Sequence, residues 1–168
     1  RSCASCWVAG APWAPRGRDR AEAVGDGGPG VEAVGPNQVQ GREAVRRAAF
    51  DNSTFTGERW CAMAAAPPYR HARCLVAYDE HDDAVAAVTV WSGGLGRPGL
   101  LESMGVHRDH RGHGYGTAIT LAAAAALRDM GSSSAIVCTP SSNVGAVATY
   151  ASSGFNRSSD VTDFRKQA

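Results

Sequence analysis

The chain has 168 residues, of which 43% are hydrophobic, and a formal net charge of +1 at pH 7. This length suits one domain with a proper core and is short for two ordinary domains. The nearly neutral charge gives no global basic field that would attract nucleic acid or a membrane surface. The longest apolar run, residues 118–127, is about half the length needed to cross a bilayer, so we predict neither partner.

The cysteines give no pattern of disulfide pairing. They number five and lie far apart, at positions 3, 6, 61, 74 and 138. An odd, scattered set fits a reducing compartment best, so we expect a cytoplasmic location. Cys3 and Cys6 have the spacing of half a zinc site, but no second pair follows at the right distance, and we predict no metal.

The first 29 residues differ in composition from the rest. They are rich in glycine, proline and arginine and show no periodic apolar pattern. Such a composition buries too little surface to offset chain entropy. We therefore predict a flexible leader or linker at 1–29 and a single domain at 30–168. The chain has no initial methionine and no apolar signal-peptide core, so we expect a fragment or a processed product.

From residue 31 the pattern alternates between strands and helices. Pro36 marks the start of one helix, Thr56 supplies the N-cap of a second, and Pro67 ends that second helix. A polar turn at 79–83 between two β-branched runs predicts a hairpin. In chain order we predict a strand at 31–34, a helix after Pro36, a helix after Thr56, strands at 73–78 and 84–91, and a glycine-rich loop at 92–98.

A fourth strand, about 99–107, runs into a glycine-rich turn and then a helix over 117–130. We call residues 111–117 the glycine turn; its sequence is Arg-Gly-His-Gly-Tyr-Gly-Thr. A helix N-terminus preceded by glycines presents unpaired N–H groups and partial positive charge to an anion. Glycine also allows a phosphate to touch the backbone, and Arg108 and Arg111 add positive charge. The turn therefore predicts a phosphate-binding cradle.

After this helix we predict a strand at 135–139, a helix at about 143–153, and two closing strands near residue 155 and at 161–165. The predicted order is β-α-α-β-β-β-α-β-α-β-β. This order lacks strict βαβ alternation and excludes a doubly wound sheet. We predict an α+β fold in which about four helices flank a central, mixed and mostly antiparallel sheet.

Two motifs resemble those of the GNAT-type N-acetyltransferases. The first is Arg111-x-x-Gly114-x-Gly116, which in that family holds the pyrophosphate of acyl-coenzyme A. The second is Asn143, Ala146, Tyr150 and Gly154-Phe155 at the family's usual spacing. The resemblance implies the GNAT fold over about 30–166 and acetyl-CoA as cosubstrate. The cofactor-binding residues that it implies are Met104, Gly105, Val106, Arg111, Gly112, His113, Gly114, Tyr115, Gly116, Thr117 and Asn143.

Two residues are candidates for catalysis. Glu102 shares one strand face with Met104 and Val106 if no bulge intervenes, and some family members have a presumed base at this offset. The alternative is a solvated strand glutamate. Tyr150 resembles the family's tyrosine near the coenzyme sulfur. Its ordinary pKa of about 10 exceeds that of a thiol, about 8.5, so a hydrogen bond to the thiolate is as plausible as proton transfer. The alternative is packing against Phe155.

Other polar and aromatic residues near the motifs have simpler interpretations. The family separates its fourth and fifth strands to admit the pantetheine arm, which implies oxyanion donors among the N–H groups near Gly105 and Val106, and Gly105 is where a bulge is easiest. Asn143 caps its helix whether or not it binds the cofactor. The histidines at 107, 110 and 113 are expected to be solvated or to face phosphate.

A group of ring side chains lies in segments that would border the acceptor cleft in this fold. The alternative is that they belong to the core and its rim. These residues are Trp60, Tyr69, His71 and Trp91.

The favoured function is an acyl-CoA-dependent N-acetyltransferase, bacterial, that moves acetyl directly to a primary amine of a small molecule or peptide. A weaker resemblance to the halves of the tandem protein mycothiol synthase rests on segments 46–50, 67–70 and 101–105 with Trp91. The alternatives are a non-catalytic acyl-CoA-binding or regulatory module, or one half of a tandem enzyme. The acceptor amine and the oligomeric state, with a homodimer as one option, stay open.

Overall fold

The computed structural model describes residues 2–10 and 30–163, which form one seven-stranded sheet and four α-helices. The strands are β1 Ser2–Gly10, β2 Gly30–Ala33, β3 Ala72–Tyr78, β4 Ala84–Ser92, β5 Gly99–Val106, β6 Ser134–Pro140 and β7 Asn156–Asp163. The helices are α1 Val39–Ala49, α2 Gly57–Ala65, α3 Tyr115–Asp129 and α4 Val144–Ser152. Short 3-10 turns lie at Pro67–His71 and Arg108–His110.

The strands lie in the order β2-β3-β4-β5-β6-β1-β7. Every neighbouring pair is antiparallel except β5 and β6, which are parallel. The β3–β4 hairpin turns at Asp79–Asp83, where backbone N–H groups bond to the Asp79 carboxylate. This mixed, mostly antiparallel sheet with four helices confirms the predicted fold class.

The N-terminal strand was not expected. β1 lies between β6 and β7, and Ala4 pairs with Pro140 on one side and with Val161 on the other. The interpretation of 1–29 as a leader is therefore wrong for 2–10, while 11–29 lie outside the described residues. The short side chains of Ala4, Ser5 and Cys6 are all buried, so this strand shows no apolar–polar alternation in the sequence. Its burial comes from the two strands beside it.

The C-terminal end also differs from the prediction. Instead of two closing strands, one strand β7 runs from Asn156 to Asp163. The predicted strand at 161–165 coincides with its last residues, and 164–168 lie outside the described part. β1 takes the sheet position beside β7 that a second closing strand would need.

Cys6 and Cys138 lie opposite each other in the β1–β6 register and form a disulfide. The expectation that no disulfide forms is wrong, because pairing depends on strand register and not on spacing in the sequence. Cys6 therefore has no thiol to give a metal beside Cys3. The cytoplasmic location loses the support that it drew from the cysteine pattern and stays a prediction.

The two faces of the sheet carry different helices. Ile119, Ala123 and Leu127 of α3 are fully buried against one face, and small alanine side chains allow this close packing. On the other face, α1 buries Val45 and α2 buries Trp60. Within residues 2–10 and 30–163, the helices are too short or too polar to span a bilayer.

We predict that Ser5→Pro strongly destabilises the protein. A proline within a strand paired on both sides removes a ladder hydrogen bond and disrupts the pairing around it, so the loss should exceed that of one hydrogen bond, about 1 kcal/mol. Urea unfolding of the purified variant measures this loss. Ser5→Ala is the matched control: it removes only the hydroxyl that contacts Ser141 and Asp160, at a cost of about 1 kcal/mol. Equal stability of both variants would contradict the position of β1.

Candidate functional site

An opening separates β5 from β6 over most of their length. The parallel pairing includes only Gly99 with Ala135 and Leu100 with Ile136. Beyond Leu100, β5 stays paired with β4 and β6 stays paired with β1. We call the gap between residues 101–106 and 137–140 the strand opening. It is the separation that the family resemblance implies.

The hydrogen-bond alternation of β5 shows which backbone groups face the strand opening. The His107 N–H donates to the Val85 carbonyl at 2.8 Å. Bonded pairs alternate along antiparallel strands, so Gly105, opposite Ala87, also bonds to β4. The N–H groups of Met104 and Val106 point away from β4 into the opening. The oxyanion donors expected near Gly105 and Val106 stay a prediction, in which the N–H groups of Met104 and Val106 are the candidates because that of Gly105 faces β4.

A bulge in β5 changes where Glu102 points. Met104 pairs with Val88 and Leu101 with Val90, so two residues of β5, Glu102 and Ser103, oppose one of β4. Leu101, Met104 and Val106 all pack toward the core beside α3. The prediction that Glu102 shares their face is wrong, because the extra residue reverses the alternation.

Glu102 is exposed and lies close enough to Arg46 of α1 to influence it. Burial and the charge of Arg42 lower the pKa of Arg46, and Cys74 and the Glu102 carboxylate partly offset this lowering. The bulge also lies at Glu102–Ser103 and not at Gly105. A Cβ at Gly105 would lie 2.7 Å from the Ala49 Cβ and 2.9 Å from the Phe50 ring, so that glycine permits a close approach of α1.

The glycine turn leads into α3, which begins at Tyr115, two residues before the predicted start. Gly112 and Gly114 have φ values of 85° and 84°, in the left-handed region that favours glycine. The first helical bond runs from the Ala118 N–H to the Gly114 carbonyl at 3.0 Å. Gly114 offers no side chain as a cap, so the N–H groups of residues 115–117 are left without a helical partner. This arrangement suits an anion.

Gly116 has a second role. A Cβ there would lie 3.1 Å from Thr149 of α4 and 3.5 Å from Val106. The glycine therefore lets α3 pack closely against α4 and the end of β5.

The two arginines of this region contact α1 as well. The Arg108 Nε donates to the Ala48 carbonyl at 2.8 Å, and the Arg111 Nη2 donates to the Ala49 carbonyl at 3.2 Å. These carbonyls belong to the last turn of α1, where cations are favourable. The arginines thus hold the glycine turn to α1. Their guanidinium groups are exposed, and each has further N–H groups besides the one that contacts α1.

The histidines lie near one another, and the ring centroids of His107 and His110 are 5.2 Å apart. The His107 Nδ1 accepts from the Asp109 N–H at 3.3 Å, and the His110 Nδ1 lies 3.8 Å from the Asp79 carboxylate. His113 is exposed, with its ring centroid 6.2 Å from that of Tyr115. In the described ranges, no three His, Cys, Asp or Glu side chains form a group able to hold a metal ion. Their interpretation as solvated or phosphate-facing stays a prediction.

Asn143 and Tyr150 lie at opposite ends of α4. The Asn143 Oδ1 accepts from the Ala146 N–H at 3.2 Å, which confirms the predicted cap. Tyr150 is buried, with its ring centroid 6.1 Å from that of Phe155, and burial raises its pKa to about 12. The packing with Phe155 is confirmed. Proton transfer from this hydroxyl to a thiolate would run uphill by about 5 kcal/mol, so hydrogen bonding is the better role.

The aromatic residues of the predicted acceptor region form a cluster beside α2. Tyr69 meets both Trp60 and Trp91 edge to face, at centroid separations of 6.3 and 6.4 Å. Trp60 is buried, which fits the core alternative. A groove of about 650 Å³ lies next to it between α1 and α2, and Val39 and Glu43 contribute to its wall.

The sequence interpretation missed Arg42, a buried arginine on α1. Its Nη2 donates to the Thr89 hydroxyl at 2.6 Å, and its guanidinium carbon lies 4.7 Å from the centre of the Phe55 ring. Arg42 and Arg46 are four residues apart, on the helix stripe that also carries Val39 and Val45. The position of both arginines on the apolar side of the helix was the sequence signal that could have predicted their burial.

Comparison with known proteins places these features in context. The acetyltransferase (GNAT) family matches residues 43–155. No curated protein matches the chain. Among solved structures, the aminoglycoside 6'-N-acetyltransferase AAC(6')-Ig of Acinetobacter haemolyticus is 19% identical with a TM-score of 0.64; the match covers 83% of this chain and 99% of that one.

Two other structures are longer than this chain. A GCN5-related N-acetyltransferase from Sphaerobacter thermophilus is 19% identical with a TM-score of 0.69, and the match covers 95% of this chain but 49% of that one. A GNAT-family protein from Novosphingobium aromaticivorans is 16% identical with a TM-score of 0.67, and the match covers 95% and 61%. At these identities the structures show the fold alone. They do not show the resemblance to mycothiol synthase.

We predict a specific effect of Tyr150 on stability in alkali. The folded chain retains the Tyr150 proton up to a pKa of about 12, whereas the unfolded chain loses it near 10. Stability therefore falls as the pH rises from about 10 to about 12, by at most about 3 kcal/mol. Tyr150→Phe should remove this part of the loss. Urea unfolding at pH 8 and pH 11 measures it, with pH 8 as the baseline; an equal loss in both proteins would contradict the raised pKa.

Proposed function

The chain belongs to the acetyltransferase (GNAT) family, and on that basis we propose that it transfers an acetyl group directly from acetyl-CoA to a primary amine of a small molecule or peptide. One observation carries the proposal: the strand opening and the glycine turn lie at the same end of β5. A ligand with a charged phosphate end and a thin arm would occupy both. Acetyl-CoA has this shape.

The residues present fit that ligand. The free N–H groups of Tyr115, Gly116 and Thr117 would bind the pyrophosphate at the N-terminus of α3, and the open turn at Gly112 and Gly114 gives it access. Arg111 and His113 add donors at the exposed edge, and Asn143 lies at the start of the neighbouring helix α4. The backbone of Met104 and Val106 would pair with the amide groups of the arm. When bound, the coenzyme supplies the acetyl group as a thioester.

Three groups of the chain would then act on the reaction. The N–H groups of Met104 or Val106 would donate to the acetyl oxygen as it gains negative charge. Glu102 would take the proton of the attacking amine. The ordinary pKa of such an amine is about 10.4, so its deprotonation at pH 7 requires about 4 to 5 kcal/mol of free energy. Tyr150 would donate a hydrogen bond to the departing sulfur.

The cysteines support direct transfer without a covalent enzyme intermediate. Of those whose side chains the structure describes, Cys6 and Cys138 are joined in the disulfide. Cys61 is exposed on α2, and Cys74 is buried within β3. Neither free thiol borders the strand opening.

A second candidate is that the chain is one half of a larger acetyltransferase, or a domain that binds acyl-CoA without catalysis. The observation in its favour is length, because the chain spans 49% of the Sphaerobacter protein and 61% of the Novosphingobium protein. Calorimetric titration with acetyl-CoA, with NADH and ATP as controls, followed by thiol release against a panel of amines, distinguishes the candidates. Binding with release supports the transferase, and binding without release supports the second candidate.

We predict that Gly114→Glu abolishes binding of acetyl-CoA while the fold survives. The carboxylate would occupy and repel the pyrophosphate site. Gly94→Glu is the matched control, since Gly94 also has a positive φ, 102°, with nothing near its added Cβ, but lies in the β4–β5 loop. Calorimetric titration of both variants measures the effect. Tight binding by Gly114→Glu would remove the glycine turn from the proposal.

We predict that Glu102→Gln lowers kcat/KM by about 10² to 10⁴, because the amine loses its general base. The amide keeps the size of the side chain. Glu80→Gln, exposed in the turn between β3 and β4, is the control and should retain full activity. Thiol release at saturating acetyl-CoA measures both, and a change of less than threefold at Glu102 would leave it a solvated strand residue.

A further inference from the structure

Arg42 and Arg46, which we call the arginine pair, place one buried and one half-buried positive charge on the sheet-facing side of α1. Arg42 is only 3% exposed. Arg46, one helical turn later, has its Nε fully buried. Removing a guanidinium from water costs free energy unless other groups compensate for the lost hydration.

The compensation around the pair is incomplete. Arg42 donates to Thr89, stacks on Phe55 and lies beside the Cys74 thiol. Arg46 stacks on Phe50 and Phe55, and the Glu102 carboxylate acts on it without forming an ion pair. The Nε atoms of both arginines have no hydrogen-bond partner in the structure. None of the ion pairs found among the described residues includes either arginine. The pair therefore presents positive charge and free donors to any anion that reaches it.

A small cavity meets the pair on the side of β5. It has a volume of about 10 Å³, and both arginines line it together with Phe50, Ser103 and Gly105. This is room for about one water-sized atom. One oxygen of an anion would fit, and the rest of the group would lie outside the cavity. Ser103 belongs to the β5 bulge with Glu102, so the cavity adjoins the candidate base.

We propose that the arginine pair binds the carboxylate of the acceptor, so that the substrate class is an amino acid or another amine that carries a carboxylate. This inference rests on the proposed function, because it assumes that an amine reaches the strand opening. Two guanidinium groups match a carboxylate in charge and in fork geometry. A polycationic acceptor would be repelled by the same charges.

The pair does not belong to the pyrophosphate site. The side chain of Val106 faces Gly116 of α3, while the next residue back, Gly105, faces Ala49 and Phe50 of α1. Successive residues of a strand point to opposite faces, so α1 and α3 cover opposite faces of the sheet. The arginine pair therefore lies on the α1 face, and the free N–H groups of the glycine turn belong to α3.

The alternative is that the pair is structural and only anchors α1 to Thr89 and Phe55. Binding of acetylated products tests this without depending on turnover. The probes are N-acetyl amino acids and the corresponding N-acetyl amino acid amides, titrated by calorimetry with and without saturating coenzyme A. Each pair of probes differs only in the carboxylate.

We expect the free acids to bind at least tenfold more tightly than the amides. Arg46→Met should reduce this preference to less than threefold, and Arg46→Lys should restore part of it. Arg42→Met should have the same effect as Arg46→Met, with circular dichroism to verify folding. Arg47→Gln is the matched control, since Arg47 lies on the same helix but is exposed and pairs with Glu43; it should keep the full preference.

The outcomes separate the two proposals. If the N-acetyl amino acids bind more tightly than their amides and Arg46→Met loses this difference, the result supports the acceptor subsite, whether or not thiol is released. Equal binding of acids and amides, no binding of either, or a preference that both methionine variants retain overturns it. If coenzyme A itself does not bind, the proposed function fails independently of the result with the acids.

Discussion

The separation of β5 from β6 after Leu100 is the constraint on which the rest of the site depends. It leaves one edge of β5 without a strand partner in the middle of a sheet, where backbone groups are otherwise paired. The opening persists because β4 holds β5 on one side and β1 holds β6 on the other. A ligand or solvent must satisfy the N–H and carbonyl groups that face it, and that requirement makes the interrupted sheet a candidate binding site.

Helix α1 is the second determinant. Its last carbonyls accept hydrogen bonds from Arg108 and Arg111, which holds the start of the glycine turn in place. Its C-terminus also lies against Gly105, where any side chain would collide. The position of α1 therefore links the glycine turn to the arginine pair and Gly105. A change in how this helix packs would affect both.

The N-terminal strand supports the same region from the other side. β1 lies between β6 and β7 and is joined to β6 by the disulfide between Cys6 and Cys138. The Ser5 hydroxyl contacts Ser141 and Asp160, which follow β6 and belong to β7 respectively. One edge of the strand opening thus depends on residues far away in the sequence. Such pairings carry a loop-closure cost that local elements do not have.

The sequence by itself determined the class of fold, the hairpin, the glycine turn before α3 and the Asn143 cap, because each arises from local periodicity, glycine conformation or a capping side chain. It also contained the motifs of the family. Tertiary structure alone decided that residues 2–10 form an inner strand, that Cys6 meets Cys138, and that a bulge moves Glu102 away from the face of Met104. It likewise decided that Arg42 of α1 is buried and that neither it nor the half-buried Arg46 forms an ion pair among the described residues. Each of these depends on register or packing between segments distant in the chain. A short stretch of sequence does not specify which distant segment will pair or pack with it.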